Sequence, residues 1–261
     1  MKLCTLASSS KGNSIIVYTE KTKILIDCGI SLANLEEKMA MLNMTPADLD
    51  AVLVTHEHID HVRGIAQLCK KYGTHIYCND IALYGIYNKS RAPRHHFVFF
   101  GLTPFVIGDL AIQAFNIPHD VPCCGFNIEN NEKKISILTD LGQINESVLH
   151  NLEESTLIVM EANHDIDMVK ANTKYSARLK SRILGDFGHL SNISSAQAIA
   201  YLANNNLKQV VLAHLSEENN TPEICYNTIF NHLETHGIKV GERLHIDIAN
   251  PYNISPVFVL K

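Results

Sequence analysis

Residues 55–61 run Thr-His-Glu-His-Ile-Asp-His, and His56, His58, Asp60 and His61 all carry side chains that bind metal ions. The apolar run Ala51-Val52-Leu53-Val54 precedes them and reads as a buried strand. Val62 to Lys71 follows and reads as a helix. Side chains two apart on an extended segment share a face, so His56 and His58 can grip one ion together. Asp60 and His61 fall where the chain turns, and they point elsewhere. The spacing suits two adjacent ions rather than one crowded ion. Imidazole and carboxylate are ligands that zinc and its first-row neighbours accept. A structural zinc site would close four ligands, mostly thiolates, around one ion, and no cysteine lies in this run.

Two ions need further ligands, and strand ends are where side chains converge on a site. His119 follows Phe115-Asn116-Ile117-Pro118, Asp140 follows Ile135 to Thr139, and His214 follows Gln209 to Ala213. One ion would take His56, His58 and His119. The other would take Asp60, His61 and His214. Asp140 would bridge, because a carboxylate has two oxygens to share. A bridging place remains for water or hydroxide.

The elements that must hold these groups are those of an ordinary globular chain. Of its 261 residues, 46% are hydrophobic and 19% charged, enough for a sizeable core. A net charge of −5 gives no general pull toward nucleic acid or anionic membranes, so a phosphate-rich ligand would need a local patch or the metals. Seven scattered cysteines fit free thiols in a reducing cytoplasm. No apolar run reaches the roughly 18 residues of a membrane span, and the start of the chain is too short in apolar length for a signal peptide.

Strands are expected over Leu3–Ala7, Ser14–Thr19, Lys23–Asp27, Thr74–Cys78, Leu110–Ile117, Lys134–Thr139, Thr156–Met160, Gln209–Ala213 and Pro256–Leu260. Helices are expected over Leu32–Leu42 with Ser31 as cap, Met168–Leu179, Ser194–Ala203 and Pro222–His236. Phe97, Phe99 and Phe100 read as a core strand or as base-stacking groups. The loop Ser8 to Asn13 reads either as a hairpin turn or as an anion-facing loop, with Ser9, Ser10, Gly12 and Asn13 as its phosphate contacts. Lys23-Ile24-Leu25-Ile26-Asp27-Cys28-Gly29 is echoed by Ser136-Ile137-Leu138-Thr139-Asp140-Leu141-Gly142. A strand then ends in ligand-type residues in each half, which suggests two related α/β halves facing each other across one site. No linker interrupts the chain, and a single domain over residues 1–261 is expected.

The order His56-X-His58-X-Asp60-His61, His119, Asp140, His214 resembles the metallo-β-lactamase superfamily over essentially the whole chain. The resemblance implies an α/β fold, an αββα sandwich of two mixed sheets with outer helices and pseudo-twofold halves. It implies that Asp27 is a carboxylate behind the ligands. His58 stands where di-iron redox members carry glutamate, which points to a hydrolytic centre. Glu161-Ala162-Asn163, Gly188-His189-Leu190-Ser191 and Ala213-His214-Leu215-Ser216 resemble the nuclease branch, where such a glutamate and histidine handle protons. With Ser8 to Ser14 and Pro118-His119-Asp120, they are most similar to the YycJ/WalJ-like single-domain group. No room exists between Asp140 and His189 for a large inserted cap domain, and the Gly/Pro-rich arm of tRNA-processing relatives is absent.

The expected activity is two-metal hydrolysis of a phosphodiester, as an exonuclease on DNA or RNA, by a hydroxide bridging two divalent ions. Zinc is the first choice of metal, with manganese or iron as alternatives. Asp60 would bind metal and take a proton, His189 would protonate the leaving oxygen, and Glu161 would orient His189. Lys89 to His96 and Lys170 to Arg182 are basic stretches that suit a nucleic-acid backbone. A thioesterase or lactonase is the alternative enzyme, though no cationic helical extension follows Pro251. A non-catalytic metal-binding regulator is the alternative outside enzymes. Asp140→Ala is expected to strip or weaken both ions, whereas His189→Ala should keep both and lose rate. Metal analysis beside phosphodiester turnover separates the two, and full activity in either variant would break the assignment.

Overall fold

A computed structural model describes residues 1–131, 133–203 and 206–260. Two seven-stranded mixed sheets face each other. The first comprises β1 (Lys2–Ser9), β2 (Gly12–Tyr18), β3 (Lys23–Ile26), β4 (Ala51–Val54), β5 (Ile76–Asn79), β6 (Phe97–Phe100) and β14 (Phe258–Val259), in the order β14-β1-β2-β3-β4-β5-β6. The second comprises β7 (Phe105–Ile107), β8 (Leu110–Ile117), β9 (Cys123–Asn130), β10 (Lys133–Leu138), β11 (Leu157–Glu161), β12 (Gln209–Ala213) and β13 (His245–Ile248), in the order β13-β12-β11-β10-β9-β8-β7.

Strand alternation divides the core into layers. Ile24 and Ile26 of β3, Leu53 of β4, Ile135 and Ile137 of β10, and Leu157 and Val159 of β11 meet between the sheets. Their neighbours face out. Leu25, Val52 and Val54 pack under Leu35, Met39 and Leu68 of the first helical layer. Ile158, Met160 and Leu212 pack under Leu152, Ile199 and Ile229 of the second. Strands buried on both faces read as continuous apolar runs, which is why β4 and β12 are bounded as the sequence predicts. The result is the expected αββα sandwich.

The echo between halves is a real repeat of topology. β1-β2-β3 are antiparallel neighbours, and β3-β4-β5-β6 are parallel ones. β8-β9-β10 and β10-β11-β12-β13 repeat that pattern. β1 and β3 therefore run the same way, as do β8 and β10. The C-terminal ends of β1, β3 and β4 form one edge, and those of β8, β10, β11 and β12 another.

Several expectations need correction. The helix expected over Val62–Lys71 is broken into Ile59–Val62 and Ile65–Tyr72. Gly64 lies at the break, with its amide on Cys28 O at 2.8 Å and no room for a Cβ beside Ile30 O. The helix expected over Met168–Leu179 is also two, Ile166–Ala171 and Ala177–Ile183. Asn172 leaves helical geometry, and Ser176 caps a new start by accepting from Leu179 N. Such short polar side chains compete with the helical backbone for its hydrogen bonds. Cys123 and Cys124 read from the sequence as strand or loop residues; the structure places them in β9. Gly125 is needed there, since a Cβ would meet the Phe115 ring at 2.5 Å. Short strands β7 and β13 and helices Leu83–Ser90 and Glu146–Leu152 have no counterpart among the expected elements. β6 forms as a strand with Phe97 buried, while the side chains of Phe99 and Phe100 lie outside the described residues.

Gly29 shows how tightly the first half closes on the site. A Cβ there would lie 1.5 Å from the Asp60 carbonyl oxygen. Gly29→Ala is expected to push the Asp60 turn outward, costing roughly 1–3 kcal/mol as overpacking does and weakening metal binding at Asp60 and His61. Urea unfolding with metal titration checks both, and a variant with wild-type stability and affinity would contradict the close approach.

Candidate active site

The strand ends deliver the predicted ligands to one place. His56 follows β4, His119 follows β8, Asp140 follows β10 and His214 follows β12, while Asp60 and His61 sit on the short helix Ile59–Val62. Asp27, Asp140 and His214 have left-handed backbones, with φ of 57°, 63° and 57°. Such a conformation is uncommon outside glycine, though Asp and His tolerate it better than most. Here it turns the chain sharply off a strand, and it costs of order 1–3 kcal/mol at each position.

His56, His58 and His119 each offer a ligand atom within 4.8 Å of the others, and so do Asp60, His61 and His214. Asp140 meets the same criterion with His56 of the first set and His61 of the second. The two trios and their shared carboxylate are those read from the sequence. Asp140, Glu161, His189 and His214 also lie this close, but there Glu161 is hydrogen-bonded to both imidazoles, and Asp140 Oδ1 stays 3.7 Å from His214 Nδ1 and 3.8 Å from His189 Nδ1.

The donor atoms are prepared for cations. Among the described residues, four of the six buried side-chain polar atoms without a hydrogen-bond partner are His56 Nε2, His119 Nδ1, Asp140 Oδ2 and His214 Nε2. Buried polar atoms are rarely left so; three of these four lie on members of the two trios and the fourth on Asp140. His61 Nε2 and Asp140 Oδ2 approach to 3.1 Å, yet that oxygen makes no aligned hydrogen bond. Buried nitrogen and oxygen atoms without partners, on side chains gathered this closely, suit divalent ions.

Carboxylates behind the ligands fix their tautomers, as partners behind metal ligands commonly do. Buried Asp27 accepts from Thr55 N and Thr55 Oγ1 at 2.9 Å each, and its Oδ2 lies 2.7 Å from His61 Nδ1. His61 thus presents Nε2 to the centre. Glu161 Oε1 lies 2.7 Å from His214 Nδ1 and 2.9 Å from His189 Nδ1. Its Oε2 accepts from the backbone amides of Leu141 and Leu190 at 3.0 Å each. Glu161 therefore does more than sequence reasoning asks of it: it holds His214 as well as His189.

Charge follows geometry. Burial opposes ionisation of Glu161, but His189 and His214 outweigh it and hold the carboxyl down at about 2. Burial works against protonation of His214, yet Asp140, Asp60 and Glu161 raise its pKa to about 10 in the metal-free centre. His61 is raised well above the usual range, since Asp140 and Asp27 overcome its burial. His56 is pushed down by burial and by neighbouring His61. His189 is also raised, as Glu161 and Asp140 overcome its burial, and its side chain remains 23% exposed.

Other features of the site are not legible in the sequence. Ser8 Oγ accepts from His214 N at 2.7 Å and ties β1 to the last ligand. Asn13 turns inward: its amide nitrogen lies 3.0 Å from Ser9 O, 3.0 Å from His61 Nε2 and 3.3 Å from Asp60 Oδ2. Ser10 is exposed, whereas Ser9 and Gly12 line an adjacent cavity. Asp120 Oδ1 lies 3.3 Å from both His58 Nε2 and His119 Nε2, and Asp120 Oδ2 accepts from Arg182 at 2.5 Å. Arg182 is thereby drawn from the second basic stretch to the rim of the site. In the first stretch, Arg94 stacks over Tyr87 at 4.6 Å.

Comparison with known proteins gives the family. The family model of a Beta-lactamase superfamily domain matches residues 22–215, and the chain belongs to the metallo-β-lactamase superfamily. The metallo-β-lactamase fold protein YhfI of Bacillus subtilis superposes with a TM-score of 0.73 at 17% identity, over 97% of this chain and 98% of its own. Within the superfamily the chain falls in the YycJ/WalJ-like group. It is 35% identical to exodeoxyribonuclease WalJ of Streptococcus pneumoniae over 98% of this chain and 97% of that protein. It is 32% identical to exodeoxyribonuclease YycJ of Bacillus anthracis over 94% of each. Among the described residues no helix is long and apolar enough to cross a membrane.

Glu161→Gln tests the clamp. Its amide cannot serve two imidazoles and two backbone amides at once, and affinity for the ion at Asp60, His61 and His214 should fall about 10–100-fold. The depressed pKa of Glu161 also carries a stability signature in metal-depleted protein. Its contribution is fully present above the ordinary value of 4.5 and is lost as pH falls toward about 2. Urea midpoints between pH 5 and pH 2 should fall more steeply in wild type than in Glu161→Gln; equal slopes would contradict the assignment.

Proposed function

We propose that the protein is a metal-dependent exonuclease acting on DNA, built as one domain over residues 1–261. One observation carries this reading: Glu161 joins a ligand histidine, His214, to a partly exposed second histidine, His189, through a single carboxylate oxygen. That arrangement sets a proton donor beside a cation centre, which hydrolysis of a phosphodiester requires. Full-length relatives named exodeoxyribonucleases support the nucleic-acid substrate.

His56, His58 and His119 would hold one divalent ion, Asp60, His61 and His214 a second, and Asp140 both. Zinc suits so histidine-rich a donor set, and manganese or iron would be accepted by the carboxylates. Such ions supply Lewis acidity toward phosphoryl oxygens and water that ionises near neutral pH.

The chain's own groups do the rest. Glu161 accepts the Nδ1 proton of His189 and keeps that imidazole protonated, so Nε2 carries a proton for the departing oxygen. Asp60, 16% exposed and held well below the usual carboxylate range by His214 and His61 despite its burial, stays ionised, and it would serve as a metal ligand that accepts a hydrogen bond from the attacking water. Asp27 and Glu161 prevent the ligand imidazoles from rotating. Seven buried free thiols suit a reducing cytoplasm.

Metal-depleted protein refilled separately with zinc and manganese should cleave labelled single- or double-stranded DNA into a shortening ladder. His58→Ala should abolish cleavage. No cleavage of DNA or RNA with stoichiometric metal bound would refute the nuclease reading and favour a small phosphodiester, thioester or lactone.

A further inference from the structure

A second cavity, of about 320 Å³, opens beside the centre. Its size is at the lower end for small-ligand sites. Lys11, Lys38 and Arg63 line it, with Ser9, Ser31 and Asn34, and no acidic side chain lies among its described lining residues. Three separate elements supply the cations: the β1–β2 loop, the helix Leu32–Ala40 and the turn after Ile59–Val62. On a chain of net charge −5 this is a local reversal of sign.

The way the cations are held matters more than their number. Arg63 Nη1 donates to Lys11 O at 3.0 Å, and Lys38 Nζ donates to Tyr252 O. Both are positioned by backbone carbonyls, and neither forms an ion pair with a described residue. Lys11 alone has an acidic partner, Glu217 at 2.7 Å. Burial pushes the Lys38 pKa down, with only a partial counter from Glu37, the direction expected of a cation short of anions. The cavity adjoins the centre through one short loop. Ser9, Lys11 and Gly12 form its wall, while Asn13 reaches Asp60 and His61 on the other side.

We propose that this cavity is a phosphate subsite that holds the substrate strand next to the bond being cut. The inference rests on the nuclease reading and deepens it. Arg63 and Lys38 take phosphate oxygens as charge-assisted donors, and the Ser9–Gly12 wall keeps that phosphate in register with the metal centre. The phosphate belongs either to the interior of a strand or to its end.

The test compares metal-loaded wild type with Lys38→Ala, Arg63→Ala, the double variant and the charge-retaining Lys38→Arg. Substrates are bis(p-nitrophenyl) phosphate, too short to fill the cavity, and single-stranded DNA with or without a 5′-terminal phosphate. Anisotropy with phosphorothioate strands reads binding apart from turnover, and metal content reports intact folding. In the double variant the ratio of strand to small-diester kcat/KM should fall about tenfold or more, chiefly through KM. The slope of log affinity against log salt should shrink by about 0.7 for each phosphate that is no longer neutralised, and Lys38→Arg should stay near wild type. Loss confined to 5′-phosphorylated strands would assign the site to a strand end, and equal loss to an interior phosphate. Unchanged strand KM, affinity and salt slope in the double variant, with wild type cleaving DNA, would overturn the subsite and leave the nuclease reading standing. Wild type that neither binds nor cuts strands would remove both.

Discussion

The structure depends on one electrostatic constraint. Imidazoles and carboxylates are brought together at the rim between two sheets, and hydrogen bonds within the protein do not use all of their atoms. Asp140 is almost wholly buried, and one of its oxygens has no aligned donor. A buried carboxylate in that condition is costly unless positive charge faces it. In the metal-free centre raised pKa values at His61 and His214 supply part of that charge. Divalent ions would supply it without protons, so metal binding must release protons and weaken as pH falls. Strained backbones at Asp27, Asp140 and His214 aim those side chains, and the surrounding packing must hold them there.

The repeat of topology explains why one rim can do this. Asp27 and Asp140 occupy matching places after β3 and β10, both with left-handed backbones. Their roles have diverged. Asp27 spends its oxygens on Thr55 and His61 and stands behind the centre. Asp140 keeps an oxygen free and faces the centre. A similar economy appears at Glu161, whose two oxygens serve two imidazoles and two amides. Behind each histidine of the Asp60 trio therefore stands a buried carboxylate, one from each half.

Beyond the centre, surface charge is arranged against the average. The chain is acidic overall, yet Arg182, Lys38 and Arg63 come to the rim from three different elements. Arg182 is balanced by Asp120, whereas Arg63 and Lys38 are braced only by backbone. A polyanion would therefore be drawn by a few placed charges rather than by net attraction.

Much of this is legible in the sequence because it is local. The run from His56 to His61, the buried strands before it and the ligands after β8, β10 and β12 follow from apolar runs ending in ligand-type residues. The sandwich and its twofold repeat come with the family resemblance and the matching Asp-X-Gly strand ends. What sequence could not decide depends on the meeting of distant segments. The break at Gly64 answers to neighbours, because Cys28 and Ile30 close on it from another segment. Gly125 hides β9 until Phe115 is seen across the sheet. Asn13, read from sequence as a loop group for phosphate, turns inward once Asp60 and His61 come near. Glu161 reaches His214 only when β11 and β12 pair, and the cations of the side cavity converge only when three elements meet. Residue types and their spacing along the chain determined the chemistry available here. Which atoms are left without partners, and so which sites call for a ligand, was decided by packing between segments far apart in sequence.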